Sequence, residues 1–175
     1  MQRVMITGGP GSGKSTLARI LGAHTGLPVH HMDQIHWQPG WVQRELADRV
    51  RMCNDIENEE AWIFEGGFST TYDHRASRAD TLIWLDLSVQ LRFWRVVRRL
   101  LRDYGTTRAD MAENCPEIFH AETFAFWRWI FTSRRRTHAR LVRLVGEHPH
   151  LTVHHLRSRS QVRAYLAKLS PTQES

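Results

Sequence analysis

The segment Gly8-Gly9-Pro10-Gly11-Ser12-Gly13-Lys14-Ser15-Thr16 constrains this chain more than any other stretch. It fits the spacing G-x-x-x-x-G-K-[ST], a phosphate-binding loop. Glycines there let successive backbone N–H groups turn inward around phosphate oxygens. Lys14 carries a compact charge on a long stem that can reach the β- and γ-phosphates. The Ser15 hydroxyl can complete a Mg²⁺ shell, and a helix opening at this point adds its positive end. Such a loop needs a strand before it and a helix after it. Val4-Met5-Ile6-Thr7 reads as a buried strand, and Leu17, Ile20 and Leu21 follow at helical spacing. Residues Gly8 to Thr16 therefore predict a site for ATP or GTP.

Strand and helix patterns alternate through the rest of the chain. Leu27 to Met32 reads as a second strand ending at Asp33, and Leu46, Val50, Cys53 and Ile56 mark one face of a helix. Trp62-Ile63-Phe64 is a third strand, Tyr72 to Arg78 a short helix, and Thr81 to Asp86 a fourth strand. Ser88 can cap the next helix, whose apolar side is read as Leu91, Trp94, Val97 and Leu101. Pro116 fits the first position of a long, kinked aromatic helix reaching Gly146. Leu151 to Leu156 is a fifth strand, and Ser158-x-x-Gln161 a capping box for a last helix. This order predicts one parallel α/β domain over residues 1–170, with helices on both faces of a five-stranded sheet and a tail at 171–175. Ligands then gather at the carboxyl ends of the strands.

Composition narrows the class. The chain has 175 residues, 41% of them hydrophobic, enough for one domain with a real core. Nothing approaches a run of about 18 apolar residues, and no leader pattern precedes the first strand, so the expectation is a cytoplasmic protein with no membrane partner. Cys53 and Cys115 stand far apart and read as packing residues. The net charge of +6 favours polyanionic partners. Of 24 basic residues only Lys14 and Lys168 are lysines, which sets the loop lysine apart and leaves no place for a guanine-reading Asn-Lys-x-Asp motif. The length is also short for a ring or motor ATPase, so a small-molecule kinase remains. Eleven histidines suggest metal, but His30-His31 and His154-His155 are strand neighbours that point to opposite faces.

Asp33, a carboxylate ending the second strand, can orient an acceptor hydroxyl, take its proton or hold a Mg²⁺-bound water. Arg95 and Arg99 lie four apart on a helix and share a face. Phe119, Phe124, Trp127, Ile130 and Phe131 form an aromatic face for core packing or a dimer contact. Arg134-Arg135-Arg136 with Arg140 and Arg143 make a basic run, either a solvated face or a patch for nucleic acid or an acidic partner.

Over nearly its whole length the chain resembles the adenylate-kinase-related P-loop nucleoside and nucleotide kinases, and among them the group labelled DNA topology modulation proteins. The resemblance is carried by the loop, by Met32-Asp33-Gln34-Ile35-His36-Trp37-Gln38-Pro39-Gly40-Trp41, by Trp62 to Arg75, by Ala79-Asp80-Thr81, and by Thr107 to Glu117. It implies a three-layer P-loop kinase fold with strand order 2-3-1-4-5, an acceptor-side insertion at 34–60 and a short lid at 103–117. It implies ATP and Mg²⁺, with Ser15 on the metal and Asp33 and Glu65 meeting it through water. Glu65-Gly66-Gly67-Phe68-Ser69 resembles the Asp-Gly-Phe-Pro-Arg segment of adenylate kinases, but the acid is longer and Ser69 replaces the arginine that grips the acceptor's phosphate. Arg75 or Arg78 is the substitute considered. By the same resemblance Trp37, Gly66 and Gly67 line the acceptor, Arg95 and Arg99 stabilise the transferring group, Arg108 points inward from the lid, and Arg157 lies beside the adenine. The expected activity is a phosphotransferase acting on a nucleoside, nucleotide or similar small acceptor, as monomer or homodimer. Two other readings stay open: a nucleotide-binding regulator that contacts DNA, and a kinase of a small non-nucleotide metabolite.

Overall fold

A computed structural model describes residues 1–169; the expected tail at 171–175 lies outside the described residues. In chain order the elements begin with β1 (Arg3–Gly8), α1 (Lys14–Thr25), β2 (Val29–His31) and α2 (Met32–His36). A small hairpin of β3 (Trp37–Gln38) and β4 (Val42–Gln43) leads to α3 (Leu46–Glu57), β5 (Trp62–Glu65), α4 (Tyr72–Arg78) and β6 (Thr81–Leu85). The last elements are α5 (Val89–Arg102), α6 (Thr123–Thr132), α7 (Arg134–Glu147), β7 (Thr152–Leu156) and α8 (Arg159–Leu169).

The main sheet is parallel throughout, in the order β2-β5-β1-β6-β7. With the hairpin set aside, its strands run second, third, first, fourth, fifth, the order the resemblance implied. Side chains alternate across each strand, so the sheet builds two cores. Val4, Ile6, Ile63, Ile83 and Leu85 pack against Leu17 and Leu21 of α1 and the partly buried face of α8. Met5, Trp62, Phe64, Leu82 and Trp84 face the other way, toward Cys53 of α3, Ala76 of α4 and Leu141 and Leu144 of α7. Burial raises the Cys53 thiol to about 11, in keeping with a packing role.

Several local expectations need correction. Ile20 is exposed, because α1 turns that flank toward a cleft rather than the sheet. The second strand stops at His31, and α2 carries Asp33 in its first turn. Helix α5 buries the stripe opposite to the expected one: Val89, Arg92, Val96 and Leu100 face inward, while Trp94 and Leu101 are 61% and 65% exposed. Both stripes are periodic; the inner one wins because arginine stems can pack while their forks reach a polar cleft. Pro116 opens no helix. It lies in an irregular segment bridged to Thr107, and the aromatic helix starts at Thr123 and breaks at Ser133. The caps behave as read: Ser88 Oγ accepts from Leu91 N at 3.4 Å, and Ser158 Oγ accepts from Gln161 N at 3.2 Å.

Candidate active site

The carboxyl ends of β1, β2, β5 and β6 open into one cleft of about 900 Å³ that contains every residue from Gly8 to Thr16. The loop is shaped by contacts as well as by torsions. Gly11 and Gly13 have φ of +72° and +97°, a region that side chains disfavour. A methyl group at Gly11 would stand 2.3 Å from the Arg92 carbonyl oxygen, so the loop packs directly on the backbone of α5. Gly13 precedes α1 without any side-chain cap. The N–H groups of the first helical turn therefore keep their donors free for an anion. Ser12 Oγ is buried and unpartnered among the described residues, a further donor inside the loop.

Across the cleft, Asp33 and Glu65 end neighbouring strands or their first turns. Glu65 is buried, and His31 Nδ1 lies 2.8 Å from its Oε1, which fixes the carboxylate's direction. Asp33 stays accessible from the cleft although protein walls enclose it. That enclosure, and then the charge of Glu65, raises the Asp33 carboxyl above its ordinary range, against Lys14 and Arg108. Gly66 has φ +117°, and a methyl there would strike Met32 Cβ at 2.4 Å. Its glycine is thus set by packing on α2. Gly67 meets only Tyr72 Oη, at 3.4 Å, and leaves its face of the cleft open. Trp37 also lines the cleft and packs edge-on against Trp41.

The arginines divide by partner. Arg95 Nη1 reaches the carbonyl oxygen of Ser12 at 3.3 Å, holding α5 to the loop. Arg99 and Arg108 share one carboxylate: Glu117 Oε1 lies 3.0 Å from Arg99 Nε and 2.8 Å from Arg108 Nε. Arg108 also donates to Asp110 at 2.6 Å. Burial works to raise the Asp110 carboxyl, but Arg108 and the Ser15 hydroxyl outweigh it and hold it low. The acids of the segment expected as a lid thus pair with the inner arginines, Glu117 with Arg99 and Arg108 and Asp110 with Arg108.

Three of the residues considered for the site do not reach the cleft. Arg75 is fully buried: it pairs with Glu57 at 2.9 Å, donates to the Gly66 carbonyl at 3.2 Å and lies 3.6 Å above the Phe64 ring. It shapes the backbone at Gly66 from beneath and does not reach the cleft. Arg78 likewise caps α3 through the Glu57 carbonyl. Arg157 turns away toward His155 Nδ1, at 3.3 Å, and the cleft near β7 is lined by Arg159 and Arg163 instead. The sequence reading also missed members. Arg92 lies on the same helical face as Arg95 and Arg99, a spacing that could have revealed it. Asp110 and Glu117 sit in irregular chain, where no period points to them. The basic run of α7 splits, with Arg134 and Arg140 entering the cleft and Arg143 pairing with Glu147 at 3.4 Å.

No protein-family model and no curated protein matches the chain. Its fold is found among solved structures. Shikimate kinase from Acinetobacter baumannii in complex with shikimate superposes with a TM-score of 0.60 at 15% identity, covering 97% of this chain and 90% of that one. Shikimate kinase from Bacteroides thetaiotaomicron gives 0.57 at 14% identity, covering 96% and 95%. Deoxyadenosine kinase from M. mycoides with bound dATP gives 0.56 at 14% identity, covering 97% and 99%. The fold is that of the P-loop kinases. Among the described residues no helix is long and apolar enough to cross a membrane.

Proposed function

We propose that this protein is an ATP- and Mg²⁺-dependent kinase that phosphorylates a hydroxyl of a small acceptor. The observation that carries the reading is the facing pair within one cleft: the amide-lined loop with Lys14 on one wall, and the Asp33 carboxylate on the other. The neighbours' printed activities, shikimate and deoxyadenosine phosphorylation, agree with a small acceptor and differ on its kind.

The loop amides and Lys14 bind the triphosphate and bring its terminal phosphorus toward Asp33. Ser15, with Asp33 and Glu65 through water, would hold Mg²⁺, and their hydroxyl and carboxylate oxygens are the hard donors this ion takes. When bound, the metal supplies charge neutralisation between the phosphates. Asp33 orients the acceptor hydroxyl and takes its proton. The acceptor oxygen bonds to the γ-phosphorus as the bond to the ADP oxygen breaks. Arg95 and Arg99 offset the charge on the moving group, and planar forks suit that task. Arg108, closing with its segment, excludes water, so the phosphoryl group passes to the acceptor and not to hydroxide. Arg159 and Arg163 flank the nucleotide end in the place first assigned to Arg157.

The test is ADP formation from Mg·ATP in the presence of nucleosides, nucleoside monophosphates and sugar acids. ADP that depends on one acceptor class supports the reading and identifies the class. Tight Mg·ATP binding without acceptor-dependent ADP across the panel counts against a kinase and for a nucleotide-binding regulator.

A further inference from the structure

Among the described residues only two non-glycines have left-handed backbone, Trp41 at φ +64° and Asn114 at φ +51°. Side chains disfavour that region, and a bulky ring more than an asparagine. The two are far apart in the chain, yet their loops touch. Gly40 N donates to the Asn114 carbonyl at 3.1 Å, and Trp41 N to Cys115 Sγ at 3.3 Å. A costly conformation on both sides of one contact persists only where the surrounding structure fixes it.

The contact is wider than these two bonds. Trp41 lies in the turn between β3 and β4, and its Nε1 donates to the Pro116 carbonyl at 3.1 Å. Its ring meets His120 edge-on at 5.1 Å and Trp37 at 5.2 Å. The Cys115 thiol, fully buried, donates back to the Gln38 carbonyl at 3.5 Å. Gln34 Nε2 donates to the Ala109 carbonyl at 2.8 Å. Residues 34–41 and 109–116 are thus tied by five hydrogen bonds, and neither Gln34 nor Trp41 lines the cleft.

The tied groups are chain neighbours of residues that do line it. Ala109 stands between Arg108 and Asp110, both on the cleft wall. Pro116 precedes Glu117, which holds Arg99 and Arg108. On the acceptor side Gln34 follows Asp33, and Trp37 opens the hairpin. Segment 103–117 holds no helix and no named strand, only single bridges between Tyr104 and Glu117 and between Thr107 and Pro116. With so little regular structure of its own, its position depends on such outside contacts.

We propose that Gln34 and Trp41 are positioning residues that tie the acceptor-side hairpin and segment 103–117 into one body, so that the hairpin helps to set how tightly the nucleotide is held. They act through Arg108 and Glu117 and touch neither substrate. This deepens the kinase reading and rests on it for the nucleotide's place; the tie itself does not. By linkage, whatever steadies the hairpin favours Mg·ATP, and Mg·ATP steadies the hairpin by the same factor.

The test is hydrogen exchange on the full chain, with and without a non-hydrolysable Mg·ATP analogue, together with calorimetry of that analogue. In the parent the analogue slows exchange at 103–117 and also at 38–43, residues that lie outside the cleft. Gln34→Ala and Trp41→Phe each remove one hydrogen bond and weaken the analogue by roughly three- to tenfold. Trp41→Ala loses the ring as well, weakens it further than Trp41→Phe, and abolishes the response at 38–43. A merely structural role would lower the melting temperature and leave the analogue's affinity unmoved. Gln34 is exposed, so its variant keeps the test open if Trp41→Ala does not fold. Protection confined to 103–117 in the parent, or parental affinity in both Gln34→Ala and Trp41→Phe, overturns the proposal. Should the analogue not bind the parent at all, the kinase reading falls separately. Faster exchange at 103–117 in free Gln34→Ala than in the free parent then upholds the tie, and equal exchange overturns it.

Discussion

The phosphate loop and the closing segment 103–117 face each other across one cleft, yet they are held by different means. The loop is built locally: glycine torsions, a strand end and a helix start within nine residues leave backbone donors pointing inward. The closing segment is built at a distance. Glu117 gathers Arg99 of α5 and Arg108 of its own stretch, and Asp110 takes a second bond from Arg108. A local device of backbone groups tolerates most side-chain changes outside its glycines and lysine. A device of shared carboxylates fails when any one partner goes. Substitutions on the two sides should therefore differ in what they break.

The largest effect is expected at the one loop position that acts through a side-chain charge. Lys14→Ala should lower turnover by roughly 10³-fold, in the range of losing one charged transition-state donor, and weaken Mg·ATP binding with it. The melting temperature should hardly move, because Lys14 lines the cleft and makes no ion pair among the described residues. Unchanged ATP affinity, read by calorimetry, would remove the loop from the mechanism.

Next in size is Asp33→Asn, expected to cut turnover by about 10²- to 10³-fold as a lost general base while leaving Mg·ATP affinity nearly intact. The pH dependence carries the sign. The base works only when ionised, and enclosure and Glu65 raise its pKa. Acceptor kcat/KM should thus fall, as pH is lowered, at a point above the ordinary aspartate value, and the limb should vanish in the variant. Linkage gives a second readout. A carboxyl whose folded pKa is raised costs stability above that pKa, so Asp33→Asn should melt slightly higher than the parent at neutral pH. A lower melting temperature would mean that Asp33 holds the structure together.

Glu117→Gln tests the distant device. It removes the shared counter-charge while keeping shape, so Arg99 and Arg108 should repel each other and the segment should open more readily. A roughly tenfold loss in kcat/KM, with faster proteolysis between residues 103 and 117, is the expected outcome. If neither changes, the closed arrangement plays no part in turnover.

These differences also explain how much could be read without coordinates. The loop, the five strands and the presence of Asp33 and Glu65 beside the loop were legible because each rests on a local pattern, a fixed spacing, a period of two or an acid at or just past a strand; the strand order came only with the family resemblance. Helix α5 was misjudged because apolar counting cannot foresee that Arg92 and Arg99 belong inside a polar cleft. Pro116 suggested a helix start, but its stretch is fixed by bridges to Thr107 and by ion pairs from other elements. Arg75 looked available because its partner Glu57 lies in a different helix, and only the fold brings them within 2.9 Å. What sequence hides here is pairing between remote charges.

The smallest effect is expected at Arg157, and it bears on the nucleotide end of the cleft. The resemblance puts this position beside the base, whereas its side chain turns to His155 and the cleft wall is formed by Arg159 and Arg163. Arg157→Ala should therefore change Mg·ATP affinity by less than about twofold, within the scatter of exposed charge substitutions. Arg159→Ala should weaken it several-fold, since Arg159 lines the cleft and its charge is felt at Arg95, which is anchored on the loop. The pair of variants is informative because both remove one exposed arginine two residues apart, so long-range charge effects are nearly equal. The Trp84 ring stacks on His155 at 3.9 Å, so an Arg157→Ala loss as large as that of Arg159→Ala would mean that the base binds on the β7 side of that stack, and the local half of the comparison would then extend only as far as the phosphates.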